Sequence, residues 1–579
     1  MAETATILQV KKTQAYQTTF KLDTSKSEVD KASNIDDDAL AEILKTHLTI
    51  HNALDNPRLN QAEWQRLVKT TPKEIKELLA TEGYFSPEII AQSPTATDAV
   101  FLISLNAITR VHSVNLIFKG DVNSPENMTQ AESLKQDWLL PAGAAFTQTA
   151  WSESKRTLLT SLLAQRYPNA TIENSQARVD PATQQADITL TIDSGQSVRF
   201  GELRIHGLQH YPQSLVHNIN PIKAGDVYSQ SALLNLQNTL QETGKFNRVE
   251  VSAATQALSD TGLADIIVTV DERKQKSASL GLGASTNTGG RVVLDYTDRN
   301  LFDRGLLWHT SLRLEQKLQA ATSTINFLTD ANGYRDSINN SLLRTNVEGQ
   351  TTTAINNGVK RTWGNRSFEQ FVGANLLYEF LTIDGESSEF NKAATLAYGL
   401  NLRRLDNDLI PTKGIILTTQ FQLAPFEKLS DGRFLQSQAK LQTFYPLGDN
   451  TQFLGRIEVG MVTGSDSVPA TYLFRAGGDQ SVRGYGFQAL GINTGNAIVG
   501  GRVLLTGSTE LVQWLTPAWG VAAFVDFGNA ANSWKDYKPA FGYGLGARWR
   551  SPVGPVGADI AYGAETKDVR LHFNLGVSF

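Results

Sequence analysis

The sequence predicts a membrane β-barrel of about 16 antiparallel strands, preceded by three small α+β repeats. Two patterns support this fold class. Residues 1–274 repeat the order strand, helix, helix, strand, strand at a period of roughly 80 residues, whereas residues 275–579 alternate apolar and polar side chains in runs separated by Gly, Asn and Asp. The chain also ends on a strand in which every second residue is apolar, as in barrels that face lipid.

Composition excludes several other classes of protein. A chain of 579 residues is too long for one hydrophobic core. It has no Cys, and its net charge is −5 with no basic stripe, so neither a disulfide framework nor nucleic-acid binding is expected. No apolar run reaches the ~18 residues that a spanning helix requires. The N-terminus lacks a basic and apolar signal region, so we expect a mature chain from which a signal peptide has been removed.

The third repeat is the clearest of the three. After a strand at 198–207, a helix begins at the N-cap residue Ser229, carries leucines on one stripe and ends at Gly244. Two further strands follow at 246–251 and 264–270.

The first two repeats follow the same order with less regularity. The second ends on ADITLTI at 186–192, which matches ADIIVTV at the end of the third. The first contains a strand near 19–22, a helix through Ile75 and a last strand at 100–105, and the segment 31–51 is interpreted as its first helix. The predicted domain boundaries are 1–107, 108–196 and 197–274 for the repeats and 275–579 for the barrel.

The last strand, VRLHFNLGVSF, has the strictest alternation. Its apolar residues fall on one face and include Phe573, Leu575, Val577 and Phe579, while polar residues and Gly576 fall on the other. We interpret the apolar face as lipid-facing and the final residues as a C-terminal strand signal, in preference to a strand of a soluble β-sandwich.

Four stretches carry a resemblance to a known family. They are DNDLIPTKGI at 406–415, AGGDQSVRGYG at 476–486, FVDFGN at 524–529 and WRSPVGPVGADIAY at 549–562. In this order, before a C-terminal Phe, they resemble the outer-membrane assembly and transport superfamily whose members join periplasmic POTRA domains to a barrel. The resemblance covers nearly the whole chain and is strongest to the TamA branch, because three repeats resemble TamA whereas BamA typically has five and two-partner secretion transporters two.

The loop RAGGDQSVRGYGFQAL at 475–490 is rich in glycine around one fixed cation, which predicts a long and specifically folded loop. The resemblance implies that its motif, Val482, Arg483, Gly484 and Tyr485, folds back into the barrel, where Arg483 contacts the wall, with Asp526 as the candidate partner. A paired Arg can hold a loop in one place because its guanidinium is a rigid fork of donors. The alternative is an external loop with a solvent-facing Arg.

The first and last barrel strands form a second candidate site. Gly281, Gly283 and Gly576 weaken strand order because they supply no packing side chain. The resemblance implies a weak closing seam that opens sideways and pairs with a client strand through backbone groups. The alternative is that these glycines only make room for the loop.

These features lead to three functional hypotheses. The first is an outer-membrane assembly factor that inserts or translocates outer-membrane proteins such as autotransporters; the resemblance implies a TamB-like partner anchored in the inner membrane and periplasmic POTRA domains. The second is a two-partner secretion transporter, and the third is a passive porin or surface antigen. We expect the protein to contact outer-membrane lipid and unfolded client proteins. We expect no cofactor, metal or nucleic acid, and no enzymatic activity.

Overall fold

The computed structural model describes residues 5–12, 16–23, 42–44, 46–256, 258, 263–551 and 554–578. Most of the segment 31–51, predicted as a helix, and Phe579 lie outside these residues. The chain divides into two compact units: Met1–Arg204 with Ile222–Asn235 and Val251–Ile267, and Ile205–Pro221 with Leu236–Glu250 and Val268–Phe579. No helix in the described residues is long and apolar enough to cross a membrane.

The first repeat contains a four-stranded sheet with the order β1-β2-β4-β3. Its elements are β1 (Ala5–Lys12), β2 (Gln17–Asp23), α1 (Thr49–Ala53), α2 (Gln61–Thr81), β3 (Glu88–Gln92) and β4 (Asp98–Ser104). Strand β2 runs parallel to β4, and β3 runs antiparallel to it. Strand β1, which adds to the edge of β2, was not predicted, whereas β3 takes the place of the fourth element in the predicted order.

The second and third repeats contain three-stranded sheets of the same topology, β5-β7-β6 and β8-β10-β9. The second comprises β5 (Arg110–Lys119), α3 (Met128–Gln136), α4 (Gln148–Ala164), β6 (Thr171–Asp180) and β7 (Gln185–Asp193). The third comprises β8 (Arg199–His206), α5 (Ser214–Ile219), α6 (Gln230–Glu242), β9 (Phe246–Ala253) and β10 (Leu263–Glu272). The predicted order strand, helix, helix, strand, strand is confirmed for both.

The apolar stripe of each long helix explains why it packs on its sheet. In α4, Trp151, Leu158 and Leu162 are buried in one core with alternate residues of β7, including Ile188 and Leu190. Residues at helical spacing form one face of a helix and residues two apart form one face of a strand, so the two periods in the sequence define the two surfaces that meet.

Residues after Lys274 form a closed antiparallel barrel of 16 strands, as predicted. Its strands are β11 (Lys276–Ser285), β12 (Gly289–Leu301), β13 (Leu306–Glu315), β14 (Leu318–Asn326), β15 (Arg335–Val347), β16 (Gln350–Gly364), β17 (Phe368–Ile383), β18 (Glu389–Leu405), β19 (Gly414–Ala424), β20 (Phe434–Pro446), β21 (Thr451–Gly464), β24 (Val503–Trp514), β25 (Trp519–Ala531), β26 (Ala540–Ser551), β27 (Gly554–Gly563) and β28 (Asp568–Ser578). A small hairpin, β22 (Ile492–Thr494) and β23 (Ala497–Val499), stands outside the barrel sheet.

The outer surface of the barrel is apolar. Leu280 and Leu282 of β11 and Val569, Leu571 and Phe573 of β28 are all exposed. The alternating pattern therefore places apolar residues outward and leaves the other face of each strand for the lumen.

The stretch DNDLIPTKGI forms the turn between β18 and β19. The carboxylate of Asp406 accepts hydrogen bonds from the Thr412 hydroxyl and from the backbone N–H groups of Asn407, Thr412 and Lys413. The pKa of Asp406 lies well below its usual value because of these hydrogen bonds, and the bond from the Thr412 hydroxyl contributes most. The turn is thus organised around one carboxylate.

Lys245, between α6 and β9, is buried in the second compact unit. Its Nζ donates to the carbonyl oxygens of Arg299 (3.0 Å) and Gly305 (2.7 Å) and lies 5.1 Å from the centre of the Tyr211 ring. Burial, and to a lesser extent the nearby Arg299, lowers the pKa of Lys245 to about 8. A single ammonium thereby ties the end of α6 to the connection between β12 and β13.

Candidate functional site: a loop inside the barrel

The segment 465–502, which we call the lumen loop, connects β21 to β24 and folds into the barrel. Val482 and Tyr485 are buried there in a cluster with apolar residues of the barrel wall such as Leu377 and Ala540. The Tyr485 hydroxyl donates to the carbonyl oxygen of Phe541 (3.0 Å). The wall therefore surrounds the predicted motif.

Arg483 makes its principal contact with Asp526 of β25. Its Nε and Nη2 donate to the two carboxylate oxygens of Asp526 at 2.7 and 2.9 Å, and its backbone N–H donates to the same carboxylate at 3.0 Å. Arg483 is 5% exposed and Asp526 is fully buried. This is a bidentate buried ion pair, reinforced by the main chain.

The remaining guanidinium donors of Arg483 reach two other strands of the wall. Nη1 donates to Glu510 of β24 (2.8 Å) and to Asp559 of β27 (3.1 Å), and Nη2 donates to Ser508 (3.2 Å). The guanidinium also lies over the Phe524 ring, 3.3 Å from its centre. All five guanidinium N–H groups can therefore be satisfied by the wall.

Two further arginines balance the charge. Arg548 of β26 donates to Glu510 (2.8 and 2.7 Å) and to Asp559 (2.6 Å). Arg456 of β21 donates to the Ser481 carbonyl oxygen (3.1 Å), at the start of the motif. Arg483 and Arg548 thus form ion pairs with all three carboxylates of the cluster, whereas Arg456 binds a carbonyl oxygen.

Two glycines allow this close approach. Gly484 has φ +94°, a conformation that other residues rarely adopt, and a Cβ there would lie 2.7 Å from the Gly563 nitrogen. On the wall, a Cβ at Gly542 of β26 would lie 1.9 Å from the Arg483 carbonyl oxygen. Gly542, the first residue of the GYGLG stretch of β26, thus gives the loop its space.

The lumen loop has a second attachment on another part of the wall. Glu379 of β17, which is fully buried, accepts from the backbone N–H groups of Ala470 (2.8 Å) and Thr471 (2.7 Å) and from the Thr471 hydroxyl (2.5 Å). The loop is therefore fixed both at its start and at its motif, by strands on different parts of the barrel.

The lumen loop also touches the strands that close the barrel. The Gly484 N–H donates to Nε2 of His572 in β28 (2.9 Å). Asp479 of the loop hydrogen-bonds to Asn287, which follows β11, through both its carboxylate and its backbone N–H. One loop thus contacts both sides of the closing seam.

The seam between β11 and β28 is short. Its register runs only from Gly281↔Ser578 to Ser285↔Asn574, whereas β11 pairs with β12 over its full length. Gly283 and Gly576, two of the predicted seam glycines, are direct partners. Leu575 and Val577 pair with β11 through the backbone, opposite Ala284 and Leu282. Among the described residues, β28 offers no partner to the first half of β11.

Sequence reasoning missed several members of the site. Glu510, Asp559, Arg548, His572 and Glu379 each stand in an alternating strand, where a polar residue toward the lumen is ordinary. Only Asp559 falls within a stretch that carries the family resemblance, WRSPVGPVGADIAY. What distinguishes them is their height along the barrel axis. This height can be known only once the registers of the strands are known.

Comparison with known proteins agrees with this architecture. The Omp85 superfamily domain matches residues 274–579, more than half of the chain, and a POTRA domain of the surface antigen variable number repeat type matches residues 198–273. BamA from Haemophilus ducreyi lacking POTRA domains 1–3 is 17% identical, with a TM-score of 0.64 over 81% of this chain and 100% of that one. CdiB from Acinetobacter baumannii is 15% identical, with a TM-score of 0.49 over 89% and 98%.

The fold and the matched domains define an outer-membrane β-barrel preceded by POTRA domains. The chain belongs to the Omp85 superfamily, a class of outer-membrane protein transporters and assembly factors.

Proposed function

We propose that this protein is an outer-membrane translocation and assembly factor of the TamA type, which helps to insert or translocate outer-membrane proteins such as autotransporters. It works from the outer membrane of a Gram-negative bacterium, with its POTRA domains in the periplasm, and uses no nucleotide. The barrel supplies the site at which a client strand enters the membrane.

The observation that carries the proposal is that the lumen loop contacts both sides of a short seam. A strand that ends without a neighbour presents backbone donors and acceptors, which another strand can pair with. The half of β11 from Lys276 to Leu280 has no β28 partner among the described residues and is therefore the template we assign to the client. Because the loop holds Asn287 on one side and His572 on the other, its position is coupled to the width of the seam.

The POTRA domains recruit the client and a partner. Their sheets end in the edge strands β3, β6 and β9, which can take up an extended segment by strand addition. The partner proposed is a TamB-like protein that reaches the inner membrane. Deleting residues 1–107 should abolish co-purification of that partner while the barrel still folds; unchanged co-purification would show that the first repeat only acts as a spacer.

Two alternatives are tested by other features of the chain. A two-partner secretion transporter would secrete one exoprotein rather than insert clients, and the three repeat sheets support the TamA-like proposal over it. A passive porin needs an open lumen, whereas here the lumen loop occupies the barrel through Arg483 and Glu379.

The proposal is tested by reconstitution. The purified protein in liposomes should accelerate the insertion of a urea-unfolded autotransporter barrel, followed by its heat-modifiable migration and protease protection. Liposomes with an unrelated folded barrel of similar size are the control. An insertion rate equal to that control would contradict an assembly role.

A further inference from the structure

A pair of amide side chains stands in the middle of the lipid-facing wall. On the outer face of β15 and β16 the Cα partners are, in order, Asp336↔Arg361, Ile338↔Val359, Asn340↔Asn357, Leu342↔Ile355 and Arg344↔Thr353. Leu342, Ile355 and Val359 are exposed, as lipid-facing residues are. The residues next to the asparagines, Asn339 and Asn356, belong to the opposite face, where Oδ1 of Asn356 is buried.

The amide pair, Asn340 and Asn357, is at the depth where the membrane is most apolar. The charged residues Asp336 and Arg344 lie on the same face as Asn340, four residues before it and four after it. The distance from Asp336 to Arg344 along the strand is roughly 27 Å. Asp336 and Arg361 form an exposed bidentate ion pair at 2.8 and 2.8 Å, which marks one rim. The amides therefore stand midway across an apolar band whose expected height is about 25 Å.

Neither amide side chain hydrogen-bonds to any residue that the structure describes. Neighbouring polar residues differ in this respect: Ser323, the Cα partner of Asn340 on the other side, accepts from Trp308 Nε1 (2.9 Å), and Thr310 donates to the Thr322 carbonyl oxygen (2.8 Å). A primary amide has two N–H donors and an oxygen acceptor, so even a bond between the two asparagines leaves groups unsatisfied. In hydrocarbon an unsatisfied polar group is costly.

We propose that the amide pair is a contact site within the membrane for a second copy of this chain. Amides are both donors and acceptors, and two side by side are complementary to the same two in a copy related by a two-fold axis. An axis along the membrane normal keeps every residue at its depth. Asn340 therefore faces Asn357 of the other copy at mid-membrane, while Leu342 and Ile355 pack around the cluster. Polar side chains that bond across transmembrane segments associate them in this way.

The test uses the absence of native cysteine. A Leu342→Cys variant keeps both amides and places one thiol beside them on the outer face. Oxidised in native membranes, it should give a covalent homodimer in about tenfold higher yield than Val459→Cys. Val459 is a lipid-facing position in the middle of β21 that is exposed to a similar degree.

A second variant separates the amides from mere proximity. Replacing both by Leu, in Leu342→Cys/Asn340→Leu/Asn357→Leu, should reduce the dimer to the Val459→Cys level while the barrel keeps its heat-modifiable migration. Equal dimer with and without the amides, equal yields at Leu342→Cys and Val459→Cys, or a crosslink to a different protein would each overturn the proposal. None of these outcomes depends on client insertion, so the result is independent of the proposed function.

Discussion

Arg483 shows why this position requires arginine. Five guanidinium N–H groups have five acceptor contacts, on Asp526, Glu510, Asp559 and Ser508. Lysine has three donors on a point charge, so it would leave part of this acceptor set unpaired. Removing one side chain from a buried network of ion pairs lowers the free energy of unfolding by more than the energy of the lost interactions. The remaining charges stay buried without an opposite charge.

The first prediction compares two Arg–Asp pairs of like geometry. Arg483→Ala should lower the free energy of unfolding by about 3–5 kcal/mol because it leaves carboxylates buried, and Arg483→Lys should restore only part of it. Arg361→Ala, which breaks the exposed bidentate pair with Asp336, should lower the free energy of unfolding much less, because water screens this pair. The measurement is heat-modifiable migration over a temperature series. Equal loss in Arg483→Ala and Arg361→Ala would refute an anchoring role for Arg483, as would wild-type folding in Arg483→Ala.

The second prediction concerns pH. The pKa of Lys245 is about 8 in the folded protein against an ordinary value of 10.5, so between these values the unfolded chain binds the proton and the folded chain does not. The free energy of unfolding should therefore rise from pH 8 to pH 10.5, by up to about 3 kcal/mol, and this contribution is lost as the pH falls through 8. Denaturant unfolding in detergent, followed by Trp fluorescence, measures it. Lys245→Met should remove this rise; an identical pH dependence in Lys245→Met would show that other groups cause it.

At the residue scale the sequence indicates the fixed cation but not its full partner set. Arg483 stands out because glycines surround it, and the FVDFGN resemblance suggested Asp526. Glu510 and Asp559 reach the same guanidinium from strands β24 and β27. The alternation of side chains along each strand predicts only that these two residues face the lumen. Which lumen residues share a level depends on the shear of the barrel, and this is a property of all strands together.

At the scale of elements, β26 is shaped to fit both the lumen loop and its neighbours in the wall. Gly542 lies against the Arg483 carbonyl of the loop, whereas a Cβ at Gly544 would meet the Ile560 carbonyl oxygen and one at Gly546 would meet Asp559. Glycine at every second position therefore clears one face of one strand. Alternation alone marks this face of β26 as lumen-facing and does not show that Gly542 makes room for the loop.

The third prediction tests that fit. Gly542→Ala should displace the motif of the lumen loop, because its Cβ has no space beside the Arg483 carbonyl. Ion conductance in planar bilayers and protease cleavage within 465–502 should both rise. Gly290→Ala is the matched control, since a Cβ on Gly290 of β12 meets nothing within 4 Å. Unchanged conductance in Gly542→Ala would mean that the loop does not depend on this clearance.

The remaining elements show the limits of periodicity. Strands of the barrel and the helices of repeats two and three follow from their periods of 2 and 3.6. Strand β1 was missed because nothing in its eight residues indicates that they pair with β2. That pairing is set by tertiary structure. The hairpin of β22 and β23 was missed because three-residue strands are too short to show alternation.

At the scale of the whole molecule, the barrel combines a fixed loop with a short closing seam. The lumen loop is attached to β17 through Glu379 and to β25 through Arg483, and it touches both seam strands. These attachments hold the interior while the seam itself rests on few ladder bonds. We propose that clients enter through this seam, which must part for them to do so.

A disulfide across the seam tests whether the seam must part. Gly283 and Gly576 are Cα partners, so Gly283→Cys/Gly576→Cys should form a disulfide across β11 and β28. Ser341→Cys/Asn356→Cys places the same bond between β15 and β16, away from the seam. We predict that the seam disulfide slows client insertion in liposomes by about tenfold or more, that a reductant restores it, and that the control disulfide has no effect. Insertion at the wild-type rate through a fully oxidised seam would show that clients do not enter there.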